Sequence, residues 1–115
     1  AIVDWEMGTV GDPLLDLAWV VMGWPDEGEV RTGGYVDYTG MPNRDDLLDR
    51  YATVSGRDVD DIDYYVVLAR FKLAIVLEGG YARYVAGRAD NPKMEAFGGV
   101  VLDLAARAAE LVRTV

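Results

Sequence analysis

The chain has 115 residues, of which 51% are hydrophobic and 27% charged, so it forms at most one domain and is neither a disordered tail nor a fibrous repeat. Eleven basic against twenty acidic residues give a net charge of −9, which argues against a nucleic-acid partner. The sequence contains no cysteine and no histidine, which excludes disulfides, thiolate metal sites, cysteine nucleophiles and histidine bases within it.

The sequence predicts neither a membrane segment nor a secretion signal. Charged residues interrupt the apolar runs, and no basic stretch precedes an apolar one at the amino terminus. We therefore expect no membrane partner and a cytoplasmic location. The chain opens on an apolar segment without an initiator Met, so we expect it to be part of a longer protein.

The first elements in chain order are a short strand, a loop and a helix. Residues 1–3 are small or β-branched, which favours a strand, and Gly8 and Gly11 then break any regular period. Asp12 followed by Pro13 is a typical helix start and predicts a helix over residues 13–22. This helix is apolar almost all round, so we expect it to be buried.

Residues 23–42 form a predicted long loop, because glycine, proline and acidic residues recur there without a helical or strand period. A loop of this length is either a lid or binding element or a passive connector. Its aromatic residues Trp24, Tyr35 and Tyr38 are candidates for lining a pocket for a cationic or apolar substrate. The alternative is that they anchor the loop to the core.

Two amphipathic helices are predicted on either side of a longer one. Asn43 is a suitable cap for a helix that continues through about Ser55, with Gly56 as its stop. Asn91-Pro92 repeats the cap-and-proline start, and apolar residues at alternating 3 and 4 spacing then continue to the end of the chain. The sequence therefore predicts a mainly α fold with four helices and one strand remnant.

The longer helix begins at Asp60 or Asp61, ends near Val85 and carries two apolar stripes. One stripe is formed by Ile62, Val66, Ala69, Leu73, Val76 and Leu77, and the opposite one by Val67, Leu68, Phe71 and Ile75. Both faces therefore need a partner. Arg70 and Lys72 are suited to reach a phosphate or carboxylate, but ion pairs with Glu78 or Asp63, or extension towards solvent, explain them equally well.

A pair of carboxylates, Asp4 and Glu6, directly follows the apolar start of the chain. A carboxylate at the end of an apolar strand is costly unless it is paired or bound to a cation. Mg²⁺ held by one or two carboxylates together with substrate phosphates is one arrangement that fits. The alternative is a strand-end aspartate that simply leads into a loop.

A resemblance to the aminoglycoside phosphotransferase and choline kinase-like family is carried by two stretches, Ile2-Val3-Asp4-Trp5-Glu6 and Gly11-Asp12-Pro13-Leu14-Leu15-Asp16-Leu17-Ala18-Trp19. They resemble the segment just after that family's catalytic loop. Residues 51–56, 61–65 and 71–74 resemble the later helical part of one branch, which includes the kinase-like domains fused to acyl-CoA dehydrogenases. The resemblance implies the fold of the helical carboxyl-terminal lobe of a kinase-like phosphotransferase.

The same resemblance implies roles for three acidic residues. Asp4 corresponds to the metal-binding aspartate, and Glu6 matches a glutamate that assists the metal in some choline kinase-like members. Asp16 matches the helix aspartate that holds the catalytic loop in position, whereas Asp12 is expected to cap its helix. The implied activity is transfer of the ATP γ-phosphate, with Mg²⁺, to a hydroxyl group of a small molecule.

The chain departs from the family pattern in one respect. Complete members have an ATP-binding lobe and a His-Gly-Asp catalytic loop, which a chain without histidine cannot contain. We therefore expect the chain to be inactive alone and to bind neither ATP nor Mg²⁺ tightly. The competing hypothesis is a non-catalytic helical interaction module, and an upstream reading frame encoding His-Gly-Asp would decide against it.

We also expect a homodimer or larger assembly. The two-striped helix and the unpaired strand leave apolar surface without cover, and such surface is rarely left exposed in soluble proteins. Ile2 and the residues flanking Asp4 are expected at the contact.

Overall fold

In a computed structural model, which describes residues 1–30 and 36–114, the chain is mainly helical. A 3₁₀ turn at Trp5–Met7 is followed by α1 (Leu14–Val21), α2 (Arg44–Ser55) and α3 (Ile62–Val85). A second 3₁₀ turn at Pro92–Met94 precedes α4 (Phe97–Thr114). The predicted mainly α class is confirmed.

Helix α1 begins where the sequence predicts it. The side chain of Asp12 accepts a hydrogen bond from the backbone N–H of Leu14 at 2.9 Å, so it satisfies one of the amides that an α-helix leaves unpaired at its start. One face of α1 is buried, through Leu14, Leu17, Ala18 and Val21. The expectation that α1 is buried therefore holds for this face, whereas Val20 on the other side is 51% exposed.

Helix α2 has the predicted bounds at both ends. The side chain of Asn43 accepts a hydrogen bond from the N–H of Asp46 at 2.9 Å. Gly56, with φ 69°, ends the helix in the left-handed conformation that glycine adopts without steric cost. Only Leu48 of this helix is buried, so α2 contacts the core through a small part of its surface.

The core lies between α1 and α3, where Ala18 and Ala69 have no exposed surface. The larger buried residues Ile62 and Val66 of α3 belong to the same hydrophobic cluster as these two alanines. Three residues of the first predicted stripe of α3 are buried, namely Ile62, Val66 and Ala69. All three belong to this core.

Helix α4 packs back against α3 through two reciprocal contacts between an aromatic ring and a glycine. A Cβ atom on Gly80 of α3 would stand 3.2 Å from the ring of Phe97, and a Cβ on Gly98 of α4 would stand 2.9 Å from the ring of Tyr81. A larger residue at position 98 would therefore require the Tyr81 ring to shift, and one at position 80 would contact the Phe97 ring tightly. Asp103 and Arg107, four residues apart on α4, form an ion pair at 3.0 Å.

Two sequence predictions are wrong in detail. Residues 1–3 form no strand, and no strand occurs elsewhere within residues 1–30 and 36–114, because a single strand has no hydrogen-bonded ladder without a partner. Asn91-Pro92 starts only a 3₁₀ turn, in which Asn91 accepts from the N–H of Lys93, and α4 begins later at Phe97. In the same described ranges, no helix is both long and apolar enough to cross a membrane.

Candidate functional site

The candidate metal ligands lie on a tight turn at the start of the chain. Asp4 precedes the Trp5–Met7 turn with φ 67° and ψ 54°, and it is the one non-glycine residue with positive φ in the part of the chain described. The indole N–H of Trp5 donates to the carbonyl oxygen of Ile2 at 2.9 Å, and the N–H of Gly8 donates to that of Trp5 at 2.9 Å. These bonds hold the turn around Asp4.

A left-handed backbone at a residue with a side chain is uncommon, although Asp tolerates it better than most. Strained conformations of this kind cluster at ligand-binding and catalytic positions. Asp4 and Glu6 are both exposed, so their carboxylates are accessible to a cation. The sequence prediction of a strand-end aspartate is therefore replaced by an aspartate at the entrance of a 3₁₀ turn.

The two carboxylates suit Mg²⁺ in donor chemistry. Mg²⁺ prefers oxygen ligands and is commonly held by one or two carboxylates, with water and substrate phosphates completing its coordination. Within residues 1–30 and 36–114 no group of three or more acidic residues lies close enough together to hold a metal ion. Asp4 and Glu6 supply two carboxylates, which are donors of the type that Mg²⁺ prefers.

Asp16, the predicted positioning residue, lies in the first turn of α1 and is exposed. Its side chain makes no hydrogen bond to any residue that the structure describes. Its carboxylate is therefore accessible for contact with another segment. An acidic residue in a first turn also interacts favourably with the helix dipole.

Asp12 does more than cap α1. Its second carboxylate oxygen accepts a hydrogen bond from the Tyr65 hydroxyl at 3.0 Å, which links the start of α1 to α3 across 53 residues of sequence. This hydrogen bond, with smaller contributions from desolvation and nearby acidic charge, raises the pKa of Tyr65 above its usual value of 10.0. The sequence signal at Asp12-Pro13 predicted the cap but not this link.

The loop aromatics Trp24 and Tyr38 contact each other, and Trp24 also faces a cleft. The Trp24 and Tyr38 rings meet edge to face, with centroids 5.1 Å apart, and the Trp24 indole N–H donates to the carbonyl oxygen of Pro42 at 3.1 Å. Trp24 also lines a cleft beside α3 and α4. The third predicted residue, Tyr35, lies outside the described residues.

Arg70 and Asp63 of α3 each bond to a residue of another helix, which sequence spacing did not predict. Asp63, one suggested partner of Arg70 and Lys72, is paired with Arg44 of α2 at 2.5 Å. The Arg70 guanidinium donates to the carbonyl oxygen of Arg107 in α4 at 3.2 Å. Lys72 is partly buried on α3. These partners come from other helices, so no local pattern in the sequence indicates them.

The chain is similar in sequence to proteins of the acyl-CoA dehydrogenase family. The chain is 32% identical to acyl-CoA dehydrogenase family member 11 of Gallus gallus over 96% of its own length, and 30% identical to the Homo sapiens protein of that name over 91%. Acyl-CoA dehydrogenase family member 10 of Mus musculus is 28% identical over 79% of the chain. The chain resembles one segment of these dehydrogenase-family proteins.

That segment is short. The chain spans about 15% of the length of the Gallus gallus protein and 14% of the Homo sapiens one. No protein-family profile matches the chain, and no solved structure matches it. The similarity agrees with the part of the sequence resemblance that concerned domains fused to acyl-CoA dehydrogenases. These similarities do not themselves show a kinase family.

Proposed function

We propose that the chain is the helical carboxyl-terminal part of an ATP- and Mg²⁺-dependent phosphotransferase that phosphorylates a hydroxyl group of a small molecule. The observation that carries the proposal is Asp4, a residue in the left-handed conformation at an exposed turn, followed two residues later by Glu6. The residues around it are also those that resemble the segment after the catalytic loop of the aminoglycoside phosphotransferase and choline kinase-like family.

Each of the three acidic residues has one role in this proposal. Asp4 and Glu6 bind the Mg²⁺, which neutralises negative charge on the ATP phosphates when it is bound. Asp16 positions the catalytic loop through a hydrogen bond, for which its exposed carboxylate is available. The base and the ATP contacts are supplied by the rest of the full-length protein, since this chain has no histidine for a His-Gly-Asp loop.

The decisive test is Asp4→Asn in the full-length protein, assayed for phosphate transfer from ATP. Asn tolerates the left-handed backbone as well as Asp does, so this substitution removes the charge without changing the turn. Loss of one electrostatic contact of this kind lowers turnover by about 10²–10³-fold or more. The control is Asp90→Asn, which removes an exposed carboxylate outside the site. Turnover by Asp4→Asn within about tenfold of the control would contradict the proposal.

A second candidate function, a non-catalytic module that pairs with a second copy of itself, is favoured by the outer face of α3. Tyr64, Phe71 and Ile75 lie on one side of this helix and are 62%, 60% and 57% exposed. They belong to the side of α3 that packs against neither α1 nor α4. A side of a helix with this composition is normally covered in a soluble protein.

The self-association hypothesis predicts a weak, concentration-dependent dimer. The exposed stripe supplies on the order of a few hundred Å² per copy, which is at the small end for a stable interface. Analytical ultracentrifugation should show a dimer for the unaltered chain and a monomer for Phe71→Glu. Thr53→Glu, on the exposed side of α2, is the control. A monomer at all concentrations would contradict this second hypothesis and leave the phosphotransferase proposal unaffected.

A further inference from the structure

A cleft of about 340 Å³ opens where four parts of the molecule meet. These parts are the carboxyl end of α1, the start of α2, the first half of α3 and the second half of α4. Its charged lining consists of three arginines, Arg44, Arg70 and Arg107, and three acidic residues, Asp26, Asp63 and Glu110, and Trp24 forms part of its wall. The volume falls within the range of about 300–1,000 Å³ that small-molecule sites occupy.

The lining is unusual for a chain of this charge. The protein carries −9 overall, yet three of its eleven basic residues line this one cleft, and all three are arginines. Each comes from a different helix. Arginine is the side chain suited to oxyanions, because its planar guanidinium donates two parallel hydrogen bonds to a carboxylate or phosphate.

Neighbouring groups fix the three guanidiniums in place. Arg44 pairs with Asp63 at 2.5 Å, and Arg107 uses its Nε to pair with Asp103 at 3.0 Å. Arg70 donates from Nη1 to the backbone carbonyl of Arg107 at 3.2 Å. Because Asp103 engages only the Nε of Arg107, and this side chain is 42% exposed, its terminal nitrogens can still donate to a ligand.

We propose that this cleft binds the single carboxylate or phosphate group of a small organic molecule. The terminal nitrogens of Arg107 hold the oxyanion, and the ring of Trp24 contacts the uncharged part of the ligand. Glu110 and Asp26 also line the cleft and disfavour further negative charge, so the site selects one anionic group rather than a polyanion. The proposal does not depend on phosphotransferase activity.

The first experiment titrates the ¹⁵N-labelled chain with inorganic phosphate and, separately, with butyrate. Tetramethylammonium chloride at the same ionic strength serves as the control cation. We expect saturable shifts of the Trp24 indole and of the α4 amides near Arg107, with a dissociation constant on the order of millimolar for so small a probe. The anion with the lower dissociation constant shows whether the site prefers a carboxylate or a phosphate. Shifts that do not saturate, or that tetramethylammonium chloride reproduces, would overturn the proposal.

The second experiment repeats the titration with matched variants. Arg107→Gln should weaken anion binding at least tenfold. Arg113→Gln is the matched control, because it removes the same charge from α4 outside the cleft. This control should bind within about twofold of the unaltered chain. An equal loss in Arg113→Gln would overturn the proposal.

Arg107→Lys provides a test that does not depend on how well the Gln variant folds. Lysine keeps the charge and the possibility of pairing with Asp103 but loses the planar fork, so binding should weaken several-fold. Circular dichroism compares the folds of all variants. Unchanged binding by Arg107→Lys, together with unchanged binding by Arg107→Gln, would show that this residue does not hold the anion.

Discussion

The first eleven residues and the helical core differ in almost every physical property. Residues 1–11 are all exposed, including Ile2, Val3 and Trp5, and contain no buried side chain. The contact between α1 and α3, in contrast, excludes water completely from Ala18 and Ala69. The candidate metal ligands lie in the first region, and the packing that holds the fold together lies in the second. The candidate metal ligands are therefore separate from the residues that stabilise the fold, and substitutions can distinguish the two sets.

The largest stability effect is expected on the core side of the comparison, with Ile62→Ala. Ile62 is 5% exposed between α1 and α3, so its truncation leaves a cavity and should lower the free energy of unfolding by about 2–4 kcal/mol. Ile75→Ala is the matched control on the same helix, at 57% exposure, and should cost about 0.5 kcal/mol. Urea unfolding measures both. Equal costs would mean that the outer face of α3 is as well covered as the core.

Asp12→Ala should have the next largest effect, because Asp12 joins the two regions. The substitution removes both the cap of α1 and the acceptor for the Tyr65 hydroxyl, so we expect a loss of about 1–2 kcal/mol. Asp16→Asn, four residues later, should change stability by no more than about 0.5 kcal/mol, because Asp16 bonds to none of the described residues. A comparable loss for Asp16→Asn would show that its carboxylate has a structural role within this chain.

Asp4→Asn should leave stability unchanged within about 0.5 kcal/mol, since the segment around Asp4 buries nothing. Thermal unfolding of this chain, compared with Asp90→Asn, checks the expectation. Combined with the loss of turnover proposed for the full-length protein, this result would separate the chemistry of Asp4 from the fold. A drop of several degrees in Tm would instead place Asp4 among the residues that stabilise the structure.

The smallest effect concerns alkaline pH. The hydrogen bond to Asp12 raises the pKa of Tyr65, so the folded state holds the hydroxyl proton more tightly than the unfolded state. The stabilisation is therefore fully present below pH 10.0 and is lost as pH rises through the higher pKa of the folded state. Tyr65→Phe should abolish this part of the alkaline loss, which unfolding curves between pH 9 and pH 11.5 can measure. An unchanged pH dependence would show that the bond does not persist in solution.

Local signals in the sequence predicted the helices well. Asn43 and Gly56 bound α2 as predicted, because a cap and a left-handed stop act within a few residues of the chain. Residues 1–3 were predicted as a strand on composition alone, but a strand depends on a partner that composition does not reveal. The start of α4 was also misplaced. Phe97 lies against Gly80, a contact between helices, and the local signal at Asn91-Pro92 carries no information about it.

The candidate site was predictable only in part, for the same reason. Asp4 and Glu6 were found from their order in the sequence, but the left-handed backbone of Asp4 was not. The cleft was missed altogether, since Arg44, Arg70 and Arg107 are far apart in the sequence and only the packing of three helices brings them together. For Arg70 and Lys72, the sequence is compatible with binding a phosphate or carboxylate, with ion pairs and with extension towards solvent, and α3 alone does not distinguish these alternatives.

The hydrogen bond between Tyr65 and Asp12 also bears on the order in which the chain folds. Helix α1 has eight residues, too few to be stable in isolation, and its packing partner α3 begins only at Ile62. Helices α3 and α4, in contrast, are neighbours in sequence and pack directly on each other. We expect the α3–α4 pair to form first and α1 to dock afterwards. Although the segment carrying Asp4 and Glu6 is the first part of this chain to be synthesised, it would be among the last to become fixed in position.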